Sequence, residues 1–204
     1  IDHCNTHSSF KDKVYMSNLC QEITLPTTPL DHIDDEKGEI ALCILSAINL
    51  GLIRDKDELE GLCDLSVRAL DEIIDYQEYP IEAARISAES RRSLGIGYIG
   101  LAHFLAKNHV KYDDKDALVL VDEITEAFQY YLLKASNNLA QEKGKCDYFH
   151  MTKYSDGILP IDTYKKDLDK IVKRKLSYDW KELRKDIQEH GLRHSTLSAQ
   201  MPSE

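Results

Sequence analysis

The chain has 204 residues, 42% apolar and 30% charged, with 26 basic against 36 acidic side chains and a net charge of −10. That length and apolar share suffice for a buried core in one large or two small domains, and they exclude a disordered chain. The acidic balance argues against a nucleic-acid or membrane-surface partner, both of which need a basic face, and no apolar run approaches the ~18–20 residues that span a bilayer.

Residues 1–38 read as loops and short extended pieces around Pro26, Pro29 and an acidic turn at 34–38. The nearly continuous apolar run that follows predicts a buried strand near 39–48, covered on both faces; a buried helical turn is the alternative. Asp55 and Glu58 have capping-box spacing. Behind them Leu59, Leu62, Cys63, Val67, Leu70, Ile73 and Ile74 recur at helical spacing, which predicts a helix to about Tyr76, before Pro80. A second helix is expected over 80–90. A third, over 114–143, carries a stripe of Leu118, Val121, Ile124, Phe128, Tyr131, Leu132, Ala135 and Leu139 and ends at Gly144. Shorter helices are expected at 163–172 and 179–190, then a final strand near 195–200 running into Pro202. There is no internal repeat. The fold class is α/β with helix in excess.

Five cysteines, odd in number and unevenly spaced, make a poor disulfide scaffold and point to a reducing, cytoplasmic compartment. No signal peptide is visible, and both ends read as cut from something longer.

The stretch 17–23, Ser-Asn-Leu-Cys-Gln-Glu-Ile, is the most informative chemically. In an extended backbone Asn18, Cys20 and Glu22 share one face. An amide can hold a hydroxyl, a carboxylate can take its proton, and a thiol can act as nucleophile or hydrogen-atom donor. A solvated strand edge with an incidental cysteine fits the same spacing. Cys43 fits a core position or half of a redox dithiol. Cys63 and Cys146 are assigned to packing. His3, Cys4 and His7 offer too few ligands at the wrong spacing for a zinc site, so no metal is expected. Residues 95–100 match the dinucleotide glycine pattern, but polar residues precede them, and close backbone packing explains the glycines better. Residues 201–204 form a Ser/Pro turn after a strand, a place where backbone N–H groups can bind phosphate.

Seven segments occur in one order: 2–7, 17–23, 38–43, 75–80, 92–97, 157–164 and 191–199. Together they closely resemble the catalytic large subunit of class I aerobic ribonucleoside-diphosphate reductase, most nearly the forms carried by enterobacteria and their large tailed phages. The resemblance covers the whole chain. It implies part of a ten-stranded α/β barrel and radical-based reduction of ribonucleoside diphosphates. Cys20 matches the thiyl-radical cysteine of a finger loop near 14–25, Glu22 the carboxylate that takes the 3′-hydroxyl proton, and Asn18 the amide that holds the ribose hydroxyls. Cys43 matches one of two substrate-reducing cysteines. Pro202, Ser203 and Glu204 match the start of the diphosphate loop.

The resemblance also implies that this segment binds no cofactor directly. A metal-containing small subunit supplies the radical, thioredoxin or glutaredoxin the electrons, and the complete large subunit is a homodimer. ATP and dNTP effectors are expected to bind regions absent here. The cysteine that pairs with Cys43, the radical-relay tyrosines and the C-terminal cysteine pair are also absent, so the segment alone is expected to be inactive. The alternatives are a non-catalytic helical scaffold derived from the family and a cobalamin-dependent reductase of the same barrel superfamily.

Overall fold

A computed structural model describes residues 8–202. Its organising feature is a parallel pair, β1 (Ile44–Asn49) and β2 (Leu94–Ile99), in register from Ile44 opposite Leu94 to Asn49 opposite Ile99. Parallel strands need a long crossover. Here it is α1 (Lys56–Tyr76) and α2 (Glu82–Arg91). After β2 come α3 (Leu101–Lys107), the long α4 (Lys115–Lys143), two short turns α5 (Pro160–Thr163) and α6 (Leu168–Ile171), and α7 (Trp180–His190). The expected helix at 163–172 is thus two separate turns.

The expected strand at 39–48 begins only at Ile44, and it is not buried on both faces. Leu45 is 46% exposed while Ile48 is buried, because α1 covers one side of β1 alone. The expected final strand reduces to a single parallel bridge between Ile96 and Ser198. Around it the N–H groups of Leu94 and Ile96 donate to the carbonyls of Thr196 and Leu197 at 3.1 and 2.8 Å, and Ala199 donates back to Ile96 at 3.1 Å. β2 therefore lies between β1 and the 196–199 segment. Its own sequence carries two glycines and follows polar residues, which hid it as a strand. A β-carbon on Gly95 would lie 2.5 Å from Leu45 Cδ2, and one on Gly97 2.6 Å from the Ala199 carbonyl. The glycines thus serve close packing of neighbouring segments, and the dinucleotide pattern is coincidental.

Helix α1 starts where the Asp55 carboxylate accepts the Glu58 N–H at 3.0 Å, and the Glu58 carboxylate accepts the Arg54 N–H at 2.9 Å. Leu59, Cys63, Val67, Leu70 and Ile74 form its buried stripe, packed along α4 through Ile124, Phe128, Tyr131, Leu132, Ala135 and Leu139. Ile73 and Leu118, expected on these stripes, are more than a third exposed. Trp180 of α7 closes the core and donates its indole N–H to buried Glu126 at 3.0 Å.

Charge is buried where α2 meets β2. Arg92 is in the left-handed region (φ 47°), and its guanidinium grips Asp71 (2.6 Å) and Asp75 (2.7 and 3.0 Å) on α1. Asp71 also meets Arg193 Nε at 3.1 Å and His194 Nε2 at 3.2 Å. Burial opposes its charge, but His194 and Arg92 outweigh that and hold its carboxyl well below the usual range. Burial pushes His194 below its ordinary 6.5, against the pull of Asp71.

Two outcomes follow from this packing. Gly97→Ala must displace the Ala199 carbonyl and is expected to cost ~1–3 kcal/mol in urea denaturation. For His194, the unfolded chain takes up a proton as pH falls through 6.5 while the native state does not, so its stabilisation is complete above that pH and lost below it. The melting temperature should therefore drop from about pH 7 to about pH 5, above the range in which Asp71 protonates, and the slope should flatten in His194→Gln.

Candidate active site

The segment that carries Asn18, Cys20 and Glu22 is a tight reversal, not an extended strand. The Asn18 N–H donates to the Ile23 carbonyl at 3.2 Å, and the Gln21 N–H donates to the Asn18 carbonyl at 3.2 Å. The Asn18 side-chain oxygen accepts the Ile23 N–H at 3.3 Å, and Gln21 sits at φ 62°. Asparagine favours such turns because its side chain competes locally for backbone donors. The two-residue alternation expected here therefore fails. Buried Val14, Ile23 and Pro26 anchor the stems, while Leu19 (95% exposed) and Cys20 stand at the exposed tip.

Glu22 turns inward. Neither of its carboxylate oxygens is exposed, and neither has a hydrogen-bond partner. Leaving a buried charged group unbonded costs more than the ~1–3 kcal/mol of a neutral one, so such a group calls for an explanation beyond folding. Glu22 lines a cavity of about 400 Å³ with Ser9, Gln129, Thr196 and Ser198. Thr196 and Ser198 alternate with buried Leu197 and Ala199, so the 196–199 segment shows its polar side to the cavity. The Ser198 hydroxyl donates to Gln129 Oε1 at 2.7 Å. Sequence reasoning passed over Gln129, Thr196 and Ser198; the signal for the last two was their strict polar–apolar alternation.

Cys43 is half-buried, at the N-terminal edge of β1. Burial pushes its thiol up, and the nearby Glu22 charge adds to the shift. It lines a second cavity, about 490 Å³ and mainly apolar, together with Asn18. Ile23 borders both cavities. The structure thus brings Glu22, Asn18 and Cys43 to adjoining spaces, whereas Cys20 lines neither. Pro202 lies at an exposed bend beyond the 196–199 segment, at the opposite end of the parallel strands from Cys43. Ser203 and Glu204 fall outside the described residues, as do His3, Cys4 and His7.

The remaining described cysteines, Cys63 and Cys146, are buried, and burial raises both thiols to about 12. Ser136, His194 and Asp71 form a linked chain, with Ser136 Oγ 2.9 Å from His194 Nδ1 and His194 Nε2 3.2 Å from Asp71. All three are wholly buried, and Arg92 and Arg193 already hold the aspartate. The chain is scaffold, because no substrate can reach that serine.

The sequence profile of the family described as "Ribonucleotide reductase, barrel domain" matches residues 1–204. The chain is 62% identical to the "Ribonucleoside-diphosphate reductase subunit alpha" of Haemophilus influenzae and 59% identical to the "Ribonucleoside-diphosphate reductase 1 subunit alpha" of Escherichia coli, each over 207 aligned residues. The corresponding subunit of Enterobacteria phage T4 is 43% identical over 209. Each alignment covers all of this chain and 27% of the relative's length. Profile and alignments together place the chain in the ribonucleotide reductase barrel-domain family.

Proposed function

We propose that this chain supplies the central catalytic part of a ribonucleoside-diphosphate reductase, which makes deoxyribonucleotides for DNA synthesis. The observation that carries the reading is the unbonded carboxylate of Glu22, sealed from water in this segment, close to the Cys43 thiol and beside a cavity that Thr196 and Ser198 also line. A group kept in that state is poised to accept a substrate hydroxyl proton. The raised thiol of Cys43 suits a donor of hydrogen and electrons better than a standing thiolate.

In this reading Cys20, once oxidised to a thiyl radical, takes the 3′ hydrogen atom of the ribose as its S–H bond forms. Glu22 accepts the 3′-hydroxyl proton, and Asn18 holds the ribose hydroxyls. The 2′-hydroxyl leaves as water. Cys43 and a second cysteine, outside this chain, give up two electrons and two protons and close into a disulfide. Cys20 then returns its hydrogen to the 3′ carbon, and Glu22 returns the proton to the 3′ oxygen. The polar side of Thr196 and Ser198 leads from the Glu22 cavity toward Pro202, a direction that suits the diphosphate, for which Ser203 and Glu204 are also proposed contacts.

The proposed radical source is a metal-containing small subunit, with thioredoxin or glutaredoxin as reductant. The complete subunit is proposed to be a homodimer, with ATP and dNTP effectors bound outside this segment. A cytoplasmic setting agrees with the free thiols of Cys20, Cys43, Cys63 and Cys146. Among the described residues no helix is long and apolar enough to cross a membrane.

In a full-length alpha subunit carrying this segment, Cys20→Ala should abolish turnover with the radical-generating partner, and unchanged turnover would refute the role of Cys20. Cys43→Ser should block repeated turnover. A separate measurement tests the Glu22–Cys43 pairing: removing the charge in Glu22→Gln should lower the Cys43 pKa and speed its alkylation at about pH 8, with exposed Cys20 labelled first and Cys63 and Cys146 protected throughout.

A further inference from the structure

We infer that Arg91 is a positioning residue for the proposed reaction, holding in mutual register the segments that carry Cys20 and Glu22, Cys43, and Pro202. The inference rests on the reading of the site given above and extends it, because Arg91 lines neither cavity. Its side chain is only 3% exposed. Nε and Nη2 donate to the two oxygens of Glu39 at 2.6 and 2.9 Å, while Nη1 reaches Asp12 Oδ2 at 3.2 Å. The guanidinium also lies 5.0 Å from the Tyr148 ring centre and 5.9 Å from that of Phe10. The Arg91 carbonyl accepts the Ser195 N–H at 2.9 Å.

The three partners stand shortly before the three candidate groups in sequence: Asp12 six residues before Asn18, Glu39 four before Cys43, Ser195 seven before Pro202. Glu39 is itself fixed, since its backbone exchanges hydrogen bonds with Thr28 at 3.0 and 3.2 Å. That contact closes the loop between the Cys20 turn and β1. Only a planar fork can grip one carboxylate with two donors and offer a third to another; a lysine, as a point charge, cannot. Other ties hold the scaffold beside this grip, and a lysine at 91 keeps a positive charge opposite buried Glu39. Arg92 separately ties the end of α2 to α1, and the bonds between β2 and the 196–199 segment are backbone ones. Loosening the Arg91 side chain should therefore shift the Asp12 and Glu39 segments against the 195–199 segment, which keeps its backbone bonds, while the core stays folded. Displacements of about 1 Å at such a site can cost on the order of 100-fold in rate.

The test is Arg91→Lys in a full-length alpha subunit with its radical-generating partner. The expected result is a cooperative melt near that of the parent, KM within about threefold, kcat lower by on the order of 100-fold, and an altered rate of Cys43 alkylation. A kcat within about twofold of the parent overturns the inference. So does turnover near that of the parent in Arg91→Met/Glu39→Met, which removes both buried charges together with the fork. Should Arg91→Lys not fold, Asp12→Ala removes one contact at a partly exposed carboxylate; a reduced kcat with a melt near that of the parent supports the inference, and a normal kcat overturns it. Cys20→Ala runs alongside. If that variant turns over, the functional reading fails, and Cys43 labelling in Arg91→Lys still decides whether Arg91 sets the geometry.

Discussion

Two consecutive guanidinium groups, at the junction of α2 and β2, are held almost entirely out of water. Desolvating each costs several kcal/mol unless its donors are matched. They are matched in opposite directions: Arg91 reaches Glu39 and Asp12, and Arg92 reaches Asp71 and Asp75. The left-handed backbone at Arg92 makes the division possible, because it ends the helix and turns the chain into β2. A non-glycine residue at positive φ is costly, and here the fork to α1 holds it in place. Removing one partner of such a pair typically costs ~3–5 kcal/mol, more than most surface ion pairs combined could offset.

From that junction β2 enters the core with almost no side-chain bulk at alternate positions. Leu45 and Ala199 close in on Gly95, and Ala199 and Met201 on Gly97. This close approach aligns the segment after Cys43 with the segment before Pro202, one on each side of a single strand. The cavities are consequences of the same arrangement, since Thr196 and Ser198 turn outward from it toward Glu22 while their neighbours enter the core.

How much of this the sequence revealed depended on whether the pattern was local. The stripe of α1, the Asp55 cap and the glycine ends of α4 and α7 are set by neighbours a few residues apart, and they were readable. β2 was not, because its identity comes from what packs against its glycines, half a chain away. The Cys20 segment misled for a different reason: alternation presumes an extended backbone, and the Asn18 side chain bends it into a turn. The candidate chemical residues came from the family resemblance; the geometry brings Glu22, Asn18 and Cys43 to adjoining cavities and leaves Cys20 at a tip. Arg91 carries no motif at all. Its role emerges only when partners 52 and 79 positions distant are seen together.

The burial of Cys63 and Cys146 acquires a meaning when set beside the chemistry proposed for their neighbours. A catalyst that cycles sulfur through oxidised states risks trapping itself in mismatched disulfides. Thiolates do the attacking in exchange, so spectator sulfurs kept protonated inside the core are chemically silent. Packing in this segment thereby confers selectivity among like atoms: of the four described sulfhydryls, only the two at the surface and cavity edge remain open to redox traffic.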